Sequence, residues 1–252
     1  MALFLVYMRS IKSLWVRSKL RLFHIHIPKT AGTYLNRAFT GSERFINGGH
    51  CMPFAGIRVL GSTSIGRKDW PDYRESGYQD SDTIVTVLRN PFDWLVSYWA
   101  HKGRSWAGLR KHNGWQGATD FLESSSFDCF VRHFCLNKRW HLPLLQHDPL
   151  CQIKMANGEL VADVILFTEF IDEGISWLSQ TYDLEIQNVR KSEANKNSDR
   201  LSYKSYYTEE LVQLVENKFS SWIKIGGYEF EREQPMSQRT YNFGLIKEID
   251  GY

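Results

Sequence analysis

Pro28-Lys29-Thr30-Ala31-Gly32-Thr33 places an ammonium, two hydroxyls and a glycine within six residues. A turn of that composition aims N–H groups, a charge and hydroxyls at one point, where a phosphate or sulfate sits. It is not a Walker A loop, G-x-x-x-x-G-K-[ST], because Gly32 follows Lys29 instead of preceding it. Further on, Arg89-Asn90-Pro91 closes a β-branched run, and Ser97 follows at helical distance. A guanidinium supplies bidentate charge-assisted bonds and a hydroxyl supplies one more, so this pair suits a second phosphate. Each motif alone has an ordinary explanation: Lys29 in solvent, Arg89 in a structural ion pair. Together they point to an anionic nucleotide held at two places.

Those groups need elements to position them. Arg21 to Ile27 reads as a strand, with Ile25 and Ile27 at its end. Pro28 stops it, having no N–H for a ladder, and Gly32 permits close backbone approach. Tyr34, Leu35, Ala38 and Phe39 then form one helical face, whose N-terminus points its unpaired N–H groups at the turn. One of His24 and His26 is expected to enter the packing and the other to point away. Thr83 to Leu88 reads as a buried strand behind Asp80, Ser81 and Asp82. Asn90 is a good N-cap, Pro91 suits the first helical position, and Asp93 favours the positive helix end. Phe92, Leu95, Val96 and Trp99 form the apolar stripe, with Ser97 on the polar flank one turn beyond Asp93. A third strand is expected over 163–167, and a packing helix over Thr208 to Phe219 behind a Thr208 cap. The alternation predicts an α/β fold: a mostly parallel, P-loop-like sheet flanked by helices on both faces. Ligands then bind beyond the carboxyl ends of the strands, which Lys29 and Arg89 both follow.

With both motifs in hand, the chain resembles the carbohydrate sulfotransferases of the heparan-sulfate 2-O and chondroitin type and their bacterial relatives. Pro28-Lys29-Thr30-Ala31-Gly32-Thr33 resembles that family's 5′-phosphosulfate loop, and Arg89-Asn90-Pro91 with Ser97-Tyr98 its 3′-phosphate site. Gly49-His50, followed by Phe54, is similar to the segment that supplies the catalytic base. Leu144-Leu145-Gln146-His147-Asp148, Asn157-Gly158-Glu159-Leu160 and Val164 to Glu169 resemble the bacterial pattern of P-Q-x-D, a hairpin and a strand ending in Glu. Lys191-Ser192 and Lys196-Asn197-Ser198 loosely match the basic, hydroxyl-rich loop at the adenosine end. Two departures stand out: Tyr34 puts a bulky aromatic just after the loop, and Gly48 replaces a second histidine before His50.

The resemblance implies a sulfotransferase fold and 3′-phosphoadenosine 5′-phosphosulfate as co-substrate. It implies transfer of a sulfuryl group by in-line displacement to a hydroxyl of a carbohydrate-type acceptor. His50 is then the base, with His26 as its rival, and Lys29 neutralises charge on the bridging oxygen. Thr30, Ala31, Gly32 and Thr33 hold the 5′-phosphate, Arg89 and Ser97 the 3′-phosphate, and Lys196 and Ser198 the adenosine end. No metal is required. Two other classes remain open: a P-loop-like ATP-dependent kinase, and a non-catalytic glycan-binding relative that keeps the pocket. The kinase predicts a magnesium-holding Ser or Thr after the lysine and an acidic residue at a strand end. Thr30 satisfies the first, whereas Arg89 stands where the second would be.

At 252 residues, with 42% hydrophobic and 14% aromatic residues, the chain can bury a substantial core. No linker or repeat divides it, so a single domain over 21–252 behind an apolar and basic extension, 1–20, is expected. A net charge of +3 is too small to imply nucleic acid. Between Trp99 and His141, however, seven cations (Lys102, Arg104, Arg110, Lys111, Arg132, Lys138, Arg139) face three carboxylates (Asp120, Glu123, Asp128). Trp99, Trp106, Trp115 and Trp140 lie there too, so the segment suits a sugar or polysaccharide acceptor, an acidic one included; a solvated basic face is the alternative. Cys129 and Cys135 are a candidate pair in an oxidising compartment, but single thiols are favoured over a disulfide. The apolar run Met1 to Met8 is too short to span a bilayer, and basic residues follow it. A cytoplasmic enzyme with no transmembrane segment is expected, with weak membrane-surface contact by residues 1–20 left open.

Overall fold

The computed structural model describes residues 20–48, 77–79, 82–100, 126–136, 149–153, 160–187, 201–232 and 244–246. They fall into two compact units. The first draws on Met1–Leu88, Gln152–Glu193 and Arg239–Tyr252, the second on Arg89–Cys151 and Ala194–Gln238.

The first unit is an α/β layer. Strands β1 (Leu22–Ile25), β2 (Phe45–Asn47), β3 (Thr83–Leu88) and β4 (Val164–Phe167) run parallel in the order β2-β1-β3-β4. Strand β5 (Gly244–Ile246) adds antiparallel to β4, where Ile165 faces Leu245. Neither β2 nor β5 is announced by the sequence pattern, since each has only three residues. Strands β1, β3 and β4 are buried throughout, which explains their runs of apolar and β-branched residues. From β1 the chain moves outward to β2, then returns to the far side of β1 to make β3. The topological switch point therefore lies between the carboxyl ends of β1 and β3, where open α/β sheets bind ligands.

Helices α1 (Gly32–Ala38) and, after α2 (Pro91–Ala100) and α3 (Phe127–Leu136), α4 (Ile171–Tyr182) come next in chain order. Leu35 and Ala38 of α1 and Ile171, Ile175 and Leu178 of α4 close a core with Leu22, Val85, Val87, Val164 and Leu166. At the amino ends, buried Asp82 accepts from Arg21 Nε and Nη2, both at 2.9 Å, and from the Gln79 N–H at 2.8 Å. This staple fixes the register of β1 against β3, in which Leu22 faces Thr83. At the other end, Thr86 Oγ1 donates to the Ile25 carbonyl at 2.9 Å. The ladder stops there, so His26 and Ile27 lie past the strand and belong to the approach to the turn.

The expectation that His24 and His26 point opposite ways is wrong. Their rings stack, with centroids 5.6 Å apart. Side chains alternate with period two, so residues two apart share a face.

The second unit is helical. Helices α2 and α3 join α5 (Glu209–Lys218) and α6 (Ser220–Gly226) around Trp94. Its ring meets Phe134 at 6.0 Å, Phe219 at 6.0 Å and Trp222 at 5.3 Å. Thr208 caps α5 by accepting from the Leu211 N–H, as its sequence predicts. Arg132 on α3 grips both oxygens of Glu210 and also donates to Asp128 Oδ1 at 2.9 Å. The hydrogen bonds from Arg132, and then its charge, hold the Glu210 carboxyl below the usual carboxylate range. Among the described residues, no helix is long and apolar enough to cross a membrane.

Candidate functional site

The first anion motif forms the turn between β1 and α1. Lys29 has φ 68° and Ala31 has φ 65°, so two non-glycine residues adopt the left-handed conformation around Thr30. Each such residue costs about 1–2 kcal/mol, and strain of this kind concentrates where a function needs it. Turns that carry left-handed residues aim backbone N–H groups at one concavity, the arrangement that binds anions. The Ala31 carbonyl starts the helix by accepting from the Tyr34 and Leu35 N–H groups at 2.9 and 3.2 Å. Thr33 is exposed and Lys29 half-buried. Thr30 differs. It is fully buried, and its hydroxyl donates to the Ile27 carbonyl at 2.8 Å, so that proton braces the turn.

Beneath the turn lies a cluster that spacing alone does not disclose. A Cβ on Gly32 would stand 2.1 Å from His26 Cδ2 and 2.6 Å from its Nε2. Glycine is needed here because an imidazole edge presses against the start of α1. His26 in turn stacks on buried His24, whose Nδ1 donates to Asn36 Oδ1 at 2.6 Å. Gly32 and Asn36 are one turn apart on α1, so one helix edge receives both rings. Gly32→Ala is expected to destabilise the protein by about 1–3 kcal/mol, because the ring below cannot swing away from its stack. Urea denaturation checks this, and an unchanged or higher midpoint would contradict it.

Gly48 has a similar steric cause. Its N–H donates to the His24 carbonyl at 3.0 Å, and a Cβ there would lie 2.4 Å from Phe23 Cζ and 2.9 Å from that carbonyl oxygen. No side chain fits, which accounts for a glycine where the resemblance anticipates a histidine. His50 lies outside the described residues, as do Lys196 and Ser198.

The second motif begins at Arg89, the residue after the last of β3. Asn90 Oδ1 accepts from the Phe92 N–H at 3.0 Å, the capping bond expected from its sequence position. Asn90 is itself buried, and its amide donates to the Arg232 carbonyl at 3.3 Å. Helix α2 is buried on more than one stripe, since Trp94 and Tyr98 are covered along with Phe92, Leu95 and Val96. Asp93 and Ser97, one turn apart, are half-buried and mark its polar line. Arg89 Nε donates to Asp93 Oδ2 at 2.7 Å, and Nη2 bonds the same oxygen. The sequence gives Asp93 only a helix-end role; its four-residue offset from Arg89 was the available signal for the pair.

The proposed acceptor wall is described only in part. Trp99 packs edge-on against Phe127 and Tyr206, with centroids 5.6 and 5.9 Å away. Arg132 is engaged by two carboxylates, so these two residues act structurally. Trp106, Trp115 and Trp140 lie outside the described residues. Cys129 and Cys135 both carry free thiols on α3. Six residues of helix separate their Cα atoms by about 9 Å, beyond the reach of a disulfide. Burial pushes the Cys135 thiol up to about 12, with the Lys218 charge opposing, which disfavours the thiolate. Among the described residues, no three His, Cys, Asp or Glu side chains gather as a metal site. Tyr34, bulky beside the turn, donates from its hydroxyl to Asp172 Oδ1 at 2.9 Å and ties α1 to α4. Its phenol is raised above the ordinary value, first by burial and then by that carboxylate.

No family model, curated protein or solved structure matches this chain.

Proposed function

We propose that this chain is a sulfotransferase that moves a sulfuryl group from 3′-phosphoadenosine 5′-phosphosulfate to a hydroxyl of a carbohydrate-type acceptor. The observation that carries this reading is the Pro28–Thr33 turn, with left-handed Lys29 and Ala31, standing after β1 at the switch point of a parallel sheet. Arg89, with Asn90, Pro91 and Ser97 in the family's spacing, follows the neighbouring strand β3. The turn suits the 5′ end of the donor: N–H groups, the Thr33 hydroxyl and the Lys29 ammonium all suit phosphate oxygens. Arg89 and Ser97 take the 3′-phosphate, the group that distinguishes this donor from ATP. Lys196 and Ser198 belong to the adenosine end.

In the reaction His50 takes the proton of the acceptor hydroxyl as its oxygen bonds to sulfur. The bond from sulfur to the bridging phosphate oxygen breaks, and Lys29 balances the charge left on that oxygen. The products are a sulfate ester, 3′-phosphoadenosine 5′-phosphate and a proton held by His50. The buried Thr30 hydroxyl, donating to Ile27, counts against the ATP-dependent kinase, which needs that oxygen presented to magnesium.

Thermal denaturation with added nucleotide tests the reading. Stabilisation by 3′-phosphoadenosine 5′-phosphate, and none by ATP with magnesium, is expected. The reverse order would favour the kinase. Glycan binding without sulfate transfer from labelled donor would favour the lectin-like relative.

A further inference from the structure

Asp93 takes two N–H groups of Arg89, from Nε at 2.7 Å and from Nη2, on a single carboxylate oxygen. The side chains are 17% and 24% exposed, so the pair is shielded from solvent more than a surface ion pair is. The edge carrying Nε and Nη2 is one that a phosphate also uses for bidentate binding. An anion arriving at Arg89 must therefore share the guanidinium with a carboxylate already there. Asp93 sits in the first turn of α2 with Ser97 one turn further along the same polar line.

We infer that Asp93 is a built-in competitor for Arg89, a specificity-determining residue that keeps the bisphosphate product from binding too tightly. The inference rests on the reading that Arg89 holds the 3′-phosphate. Two effects of Asp93 oppose each other. It orders Arg89 before the ligand arrives, which favours binding. It also places a negative charge close to a bound dianion, which opposes binding. At a half-buried site the repulsion between neighbouring charges exceeds the cost of ordering one side chain, so the second effect wins. The product leaves faster as a result, and the enzyme is not held in its spent state.

The test is calorimetry and stopped-flow displacement on Asp93→Asn, which keeps the shape and an acceptor oxygen for Arg89 Nε. The variant is expected to bind 3′-phosphoadenosine 5′-phosphate about tenfold tighter, through a slower off-rate. Its affinity for adenosine 5′-phosphate, which lacks the 3′-phosphate, is expected to stay at the wild-type value. Asp93→Ser, which also removes the charge and is tolerated at helix starts, is expected to move in the same direction and decides the matter if Asp93→Asn does not fold. Unchanged or weaker bisphosphate binding by the folded variant overturns the inference, as does equal tightening toward both nucleotides. Failure of the underlying functional reading looks different: the wild-type protein would then show no preference for the 3′-phosphate at all.

Discussion

Lys29→Ala is expected to lower turnover by about 10²–10³-fold while donor affinity falls far less. Lys29 occupies the left-handed region at φ 68°, and alanine carries a Cβ just as lysine does. The backbone penalty is therefore carried by both residues, and the substitution removes the ammonium without relaxing the turn. A charge that matters most as the bridging oxygen becomes a leaving group contributes more to kcat than to ground-state binding. Single-turnover transfer of labelled sulfate, set beside calorimetric donor affinity, separates the two. Turnover within a few-fold of wild type would remove Lys29 from the chemistry. A loss confined to ATP hydrolysis would instead place the lysine on an ATP γ-phosphate.

His50→Ala is expected to lower turnover by at least about 10²-fold with little change in donor binding, since a positioned base typically contributes about 10²–10⁴-fold. Gly48, the last described residue before His50 in the sequence, follows β2, whose carboxyl end shares an edge of the sheet with those of β1 and β3. Its rival His26 has a different setting. It is stacked on His24 and pressed against Gly32, so its surroundings already give it a role in shaping the turn. Comparing His50→Ala with His26→Asn under saturating donor distinguishes them. If the His50 variant retains turnover and the His26 variant loses it without losing stability, the base is His26.

The parts of this protein that the sequence discloses are those governed by local chemistry. Thr83–Leu88 is a run that only a buried strand accommodates, and it is β3 to the residue. Asn90 and Thr208 cap helices because their side-chain oxygens reach N–H groups two and three residues on. What stays hidden depends on distant contacts. Strand β2 exists because β1 offers it a partner, not because Phe45-Ile46-Asn47 has a strong pattern of its own. The left-handed Ala31 contradicts its intrinsic preference and follows from the surrounding turn. Trp94 is central to the second unit although it falls off the stripe read from helical periodicity, because α2 is covered on several sides. His24 and His26 stack because side chains two residues apart fall on the same side of an extended chain.

At the candidate site the motif residues were legible and their partners were not. Lys29, Gly32, Arg89 and Ser97 can be picked out from type and spacing. That the Thr30 hydroxyl is spent on Ile27, and that Arg89 is shared with Asp93, are facts of three-dimensional pairing. The first takes the Thr30 oxygen away from the place a magnesium-dependent kinase needs it, and the second leaves any anion drawn to Arg89 with a carboxylate to displace.

The proposed function requires the Arg89 guanidinium to hold the 3′-phosphate of the donor, and calorimetric titration of Arg89→Ala reads that contact alone. Affinity for 3′-phosphoadenosine 5′-phosphate is expected to fall by about 2–3 kcal/mol, roughly 30- to 150-fold, while affinity for adenosine 5′-phosphate holds at the wild-type value. Undiminished binding of the bisphosphate by the folded variant would contradict it.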